Sequence, residues 1–158
     1  MQASFYNLVR NRLKFTMFLI TKLPAAFFSG VTVIEINELV ATTKIKYKWF
    51  ATNPFRSTYF ACLAMTAEMS TGLLAMAHIY KQSPQVSMLV QKMEAVYHKK
   101  AVGTTIFTCS NGAEFAEKIQ QTKDDGSPQT IEATSTGVDK DGILVAEFKF
   151  TWAVKRKG

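Results

Sequence analysis

The stretch TYFACLAMTAEMSTGLLAMA, residues 58–77, holds one charged side chain, Glu68, and no proline. Phe60, Leu63, Ala64, Ala67, Thr71 and Leu74 follow one helical face, while Cys62, Met65, Met69, Leu73 and Met76 fill the others. A helix that is apolar nearly all round has no face to offer water, so it must be buried on most sides. The remaining elements therefore have to wrap it. A chain of 158 residues is enough for one such domain, residues 1–158, and not for two independent cores.

The flanking sequence supplies the wrapping. From Gly30, GVTVIEINELVATTKIKYKWF reads as two strands joined near Asn37 and Glu38. In the second, Ile45, Tyr47 and Trp49 face one way and Lys44, Lys46 and Lys48 the other. NPFRS then breaks the strand, and Ser57 or Thr58 can cap the helix, which ends over residues 77–80. VSMLVQKMEAVYHKKA and VGTTIFTCS give two more strands. GAEFAEKIQQTKDDG gives a short helix with Phe115 and Ile119 on one face. PQTIEATSTGV and ILVAEFKFTWAV form a hairpin around DKDG. The order is helix, two strands, buried helix, two strands, short helix, two strands. A curved antiparallel sheet around one apolar helix is the economical packing, an α+β arrangement.

The N-terminal segment FYNLVRNRLKFTMFLITKLPAAFF is basic and apolar. Its apolar run is too short for a membrane span, which needs about 20 residues, and it lacks the layout of a secretory signal. It reads as an amphipathic helix over residues 1–24, packed on the domain through Leu13, Met17 and Ile20 and ended by Pro24. An interfacial membrane helix is the less favoured alternative.

The formal charge of +7 is uneven. Residues 1–60 carry Arg10, Arg12, Lys14, Lys22, Lys44, Lys46, Lys48 and Arg56 against Glu35 and Glu38; the remainder is nearly balanced. A basic balance favours anionic partners, yet no basic run with interleaved aromatics and no zinc-finger or helix-turn-helix spacing points to nucleic acid. Cys62 and Cys109 have no C-x-x-C partner, which argues against a disulfide framework and fits a cytoplasmic location. His78 and His98 lack metal-ligand spacing, so no metal is expected. No G-x-S-x-G surrounds any serine.

Strand followed by NPFRSTYFACLAMTAEMSTG, together with the closing GILVAEFKFTWAVKRK, resembles the hotdog-fold thioesterase-like superfamily, in an uncharacterised branch, over residues 25–155. That resemblance implies a curved sheet around a long central helix, with an extra N-terminal helix here. It implies hydrolysis of an acyl thioester of coenzyme A or a carrier protein, coenzyme A entering only as part of the substrate. A homodimer or dimer of dimers is implied as well. The carboxylate on the helix acts in such relatives as base or nucleophile, and backbone N–H groups at the helix start polarise the carbonyl. Residue by residue, Glu68 takes the acid position and Asn53 the upstream polar one. Tyr59, Phe60 and Ala61 stand where relatives have His-Gly-Gly, a departure that replaces two glycines with side chains. Arg56 at the helix entrance and Thr71 beside Glu68 complete the candidate substrate contacts.

Each candidate has a plainer reading. Glu68 must be paired, protonated or facing a wet cavity, because an unpaired buried charge is costly; a hydrogen bond to Ser70 or Thr71 would make it merely structural. Asn53 suits the turn before Pro54. Ser70 and Thr71 can bond their own helix backbone, and Arg56, Lys81, Lys99 and Lys100 can be solvated rather than phosphate-binding. Two functions follow: a thioester hydrolase, or a non-catalytic module that binds an acyl or other apolar ligand or simply assembles.

Overall fold

The computed structural model describes residues 2–157. Three helices, α1 (Gln2–Arg10), α2 (Arg12–Lys22) and α3 (Pro24–Ser29), precede strands β1 (Thr32–Ile36) and β2 (Ala41–Lys46). A single 3₁₀ turn, Trp49–Ala51, leads to the long helix α4 (Phe60–Ile79). Strands β3 (Val86–Tyr97) and β4 (Thr104–Cys109), helix α5 (Gly112–Asp125) and strands β5 (Gln129–Asp139) and β6 (Leu144–Arg156) follow. The strands form one antiparallel sheet in the order β1-β2-β4-β5-β6-β3, curved around α4. This is the hotdog fold, with α4 as the filling.

Helix α4 buries twelve of its residues; Ala61, Met65, Glu68, Gly72 and Met76 form its one stripe that is only partly buried. Its length and hydropathy would suit a membrane span, but it is the core helix, packed on five strands and on α5. Alternation fixes the sheet's inner face: Phe107, Ile131, Phe148, Phe150 and Val154 are all buried and meet α4 and α5 (period two). α5 closes one side with Phe115 and Ile119, the pair its sequence spacing singled out. Asp139 closes the β5–β6 hairpin by accepting from the backbone N–H groups of Asp141 and Ile143.

Four local expectations are corrected. The helix cap is Tyr59, with no side-chain hydrogen bond. Ser57 is instead tied to Asn53, while Thr58 donates its backbone N–H to the Ala101 carbonyl. Trp49 is exposed rather than aligned with Ile45, because strand pairing stops at Lys46 and the chain turns into the 3₁₀ segment. Leu13, Met17 and Ile20 do not pack on the domain. The basic N-terminal segment is three helices, not one: Asn11 caps α2 through its side chain, and Pro24 ends α2 while starting α3. Phe5, Tyr6 and Val9 of α1 and Phe15 and Leu19 of α2 make the packing face. The reversal has a simple cause: α2 is apolar on two opposed sides, and α1 and α3 at its ends decide which side turns inward.

Candidate functional site

Glu68 stands on the third turn of α4 and faces a cavity of about 280 Å³ between α4, α2, α1 and the β6–β3 edge of the sheet. Phe5, Phe15, Met69, Leu73, Met88 and Trp152 are among its apolar walls, and Lys22 is at its edge. Gly72 lies one turn on from Glu68, on the same face. A Cβ there would come within 3.2 Å of Glu68 Oε1 and 3.8 Å of the Trp152 ring. The missing side chain is what leaves room for the carboxylate beside the indole.

No hydrogen bond or ion pair reaches the Glu68 carboxylate among the described residues. With apolar walls and no partner, burial pushes its pKa up to about 7. A carboxyl group poised there exchanges protons readily near neutral pH, as a general base must. Thr71 is fixed next to it. Its hydroxyl donates to the Glu68 carbonyl at 2.9 Å and accepts from Trp152 Nε1 at 3.0 Å, which pins the indole against the cavity.

The other sequence candidates gather elsewhere. Asn53 is consumed by its own turn: Oδ1 accepts from the N–H groups of Phe55 and Ser57, and Nδ2 donates to Ser57 Oγ. Arg56 occupies that turn with φ of 57°. Tyr59 and Phe60 stack edge to face at 4.8 Å, both largely exposed, at the start of α4. The N–H groups of Phe60 and Ala61 have no hydrogen-bond partner among the described residues, as first-turn donors commonly do not. At 1.5 Å per residue, Phe60 and Glu68 lie about 12 Å apart along the helix. One chain therefore does not bring its own helix start to its own carboxylate.

Lys99 pairs with Asp139 at 2.6 Å, and Lys81 sits over the Tyr80 ring. The Cys109 thiol is pushed to about 11 by burial and is correspondingly unreactive. Among the described residues no three His, Cys, Asp or Glu side chains converge as metal ligands. Lys22, Gly72 and Trp152 were not sequence candidates. Gly72 could have been found from its spacing of four after Glu68; Lys22 and Trp152 reach the site only through the tertiary fold.

The sheet wrapped around α4 defines a hotdog-fold protein. A model of the family described as a domain of unknown function, DUF4442, matches residues 12–154, and the chain belongs to that family. Among curated proteins, none matches this chain in sequence. Solved structures share its fold. PA5026 of Pseudomonas aeruginosa, a protein of unknown function described as a probable thioesterase, has a TM-score of 0.76 at 16% identity, over 92% of this chain and 96% of its own. The E. coli PaaI protein from the phenylacetic acid degradation operon has a TM-score of 0.64 at 14% identity, over 90% of each chain. Thioesterase HI1161 of Haemophilus influenzae has 0.66 at 9% identity, over 90% of this chain and 89% of its own.

Proposed function

We propose that this protein hydrolyses an acyl thioester, carried by coenzyme A or a carrier protein, in the cytoplasm. The observation that carries the reading is the Glu68 carboxylate, unpartnered in a cavity whose walls are apolar but for Lys22 at the edge, with its pKa near 7. The walls suit an acyl chain. Glu68 takes a proton from water as that water's oxygen bonds to the thioester carbon; the carbon–sulfur bond breaks and the thiolate leaves. In the nucleophilic variant, Glu68 attacks the carbon itself, the carbon–sulfur bond breaks with departure of the thiolate, and water then cleaves the resulting anhydride to free acid and Glu68. Thr71 and Trp152 hold the carboxylate's surroundings in place.

The unpaired N–H groups of Phe60 and Ala61 are the oxyanion donors, and they act on the site of a second copy, since about 12 Å of helix separates them from Glu68 of their own chain. A homodimer supplies that second copy. Its contact is the free edge of β3, which is twelve residues long and exposes Leu89, Met93 and Val96. An open edge of that length calls for a partner. Antiparallel self-pairing centred on Met93 sets Lys92 opposite Glu94 of the second copy, matching the charges that already pair within one strand at 3.1 Å. At the opposite edge β1 is only five residues long.

One observation favours the other reading, a non-catalytic binder of an apolar ligand: the Tyr59–Phe60 ring pair stands where a carbonyl would approach the backbone. Hydrolysis of acyl-CoA thioesters of graded chain length, with the unmodified protein and Glu68→Gln, separates the two. Turnover that the substitution abolishes supports hydrolysis. Equal rates end the Glu68 mechanism, and ligand binding without turnover in either protein establishes the binder.

A further inference from the structure

The fold uses only one of the two apolar faces of α2. Phe15 and Leu19 are buried, whereas Leu13, Met17 and Ile20 are 73%, 60% and 44% exposed. At about 100° per residue these three fall within roughly 60° of arc, a continuous outward stripe. Such a stripe in water is unfavourable and marks a surface that meets something else.

The surrounding charge indicates what. Arg12 and Lys14 flank the stripe, Arg10 and Lys22 stand at the two ends of α2, and all four are exposed. No acid occurs before Glu35. On the Arg12 side the helix borders a groove of about 1010 Å³ shared with β1 and β2, where Arg10, Lys44 and Lys48 face the single acid Glu35. Exposed rings also stand on the elements that follow α2. Phe28 of α3 lies 6.1 Å from Phe50, and Phe50 lies 4.9 Å from Trp49, which is 79% exposed. Basic residues beside an apolar helix stripe, with exposed tryptophan, are the make-up of an interfacial membrane helix.

We propose that the outer face of α2 docks on an anionic phospholipid surface. Leu13, Met17 and Ile20 enter the headgroup boundary, and Arg12 and Lys14, which flank them, meet lipid phosphates. A second copy of the chain is the poorer occupant, because a two-fold contact would press these cations against their own copies. The inward face of α2 adds a consequence that rests on the proposed function. Phe15, Phe18 and Lys22 line the Glu68 cavity, so the same helix would lie between bilayer and cavity and give acyl chains a short apolar path.

The docking is tested without substrate. The full chain is sedimented with vesicles of phosphatidylcholine alone or mixed with phosphatidylserine, at low and near-physiological salt. Removing residues 1–22 would also remove Phe5, Phe15 and Leu19 from the core, so surface variants are used, with unchanged thermal melts as the control. Binding should require phosphatidylserine and weaken with salt. It should fall roughly fivefold for each cation lost in Arg12→Ala and Lys14→Ala, and more than tenfold in L13E/M17E/I20E, since each buried methylene counts for roughly a factor of four. Absence of binding to phosphatidylserine vesicles, or binding that the triple variant leaves intact, overturns the proposal. A triple variant that changes the oligomeric state by sedimentation velocity and not the vesicle binding assigns the face to a second copy instead. Either failure leaves the Glu68 hydrolysis assay untouched.

Discussion

The polar side chains of α4 fall into two environments. On the side facing β2 and β5, every hydroxyl is answered. Thr43 Oγ1 donates to the Thr66 carbonyl at 2.7 Å, Thr66 Oγ1 to the Cys62 carbonyl, and Ser70 and Ser135 share a hydrogen bond of 2.8 Å. On the side facing α2, Glu68 carries the larger potential charge and has no partner among the described residues. The same helix thus satisfies its weak polar groups and leaves the strong one bare. Stability alone accounts for the first side and not for the second, since an apolar residue at 68 would pack without the cost of burying a carboxylate.

The sharpest way to break this contrast is Glu68→Gln. As general base, its loss should lower kcat by roughly 10²- to 10⁴-fold. The kcat of the unmodified protein should rise with pH through about 7, where Glu68 loses its proton. A flat profile over that range would remove Glu68 from the chemistry.

The next effect is on stability, and its sign follows from the direction of the shift. Glu68 has a folded pKa near 7, above its ordinary 4.5. The folded state therefore binds the proton more tightly. That advantage is complete below the ordinary carboxyl pKa and is lost as pH rises through about 7. Glu68→Gln removes this loss, so the variant should be more stable than the parent at pH 8, by an amount approaching about 3 kcal/mol, and close to it at pH 4. Urea unfolding at the two pH values measures the difference; a variant less stable at pH 8 would mean that Glu68 has a favourable partner.

On the opposite side of the helix, Ser70→Ala should cost about 1–2 kcal/mol at every pH, by leaving Ser135 without its partner, and should change kcat little. The smallest effect joins the two. Gly72→Ala should raise helix stability by up to about 1 kcal/mol while moving the Glu68 carboxylate, which a Cβ would approach to 3.2 Å. Stability and activity should part company in that variant. If they rise together, Gly72 is not what makes room for Glu68.

Most of the fold was legible because one feature dictated it. A helix without a polar face has to be wrapped, and the alternation in the flanking segments supplied the strands in order. The family resemblance then placed Glu68. Legibility failed where periodicity had two solutions or where the fold joins distant residues. In α2 the spacings 13-17-20 and 15-19 are both helical stripes, and only packing by α1 and α3 selects between them. Asn53 was drawn toward the site by analogy, but its amide closes a turn. The cavity walls come from α1, α2, β3 and β6, so Lys22 and Trp152 are brought together only when the sheet curls. Tyr59 and Phe60 kept their expected place at the helix start, about 12 Å along the helix from Glu68.

The chain's two tryptophans divide between the two surfaces that matter. Trp152 is 5% exposed, hydrogen-bonded to Thr71 and set against the Glu68 cavity, while Trp49 stands in solvent beside Phe50. The protein is thus supplied with an inner and an outer fluorophore. With Trp49→Phe, emission comes from Trp152 alone and registers what fills the cavity. With Trp152→Phe, it comes from Trp49 and registers what the surface touches. Ligand entry and lipid contact can then be followed in separate channels, without a label and before any substrate is known.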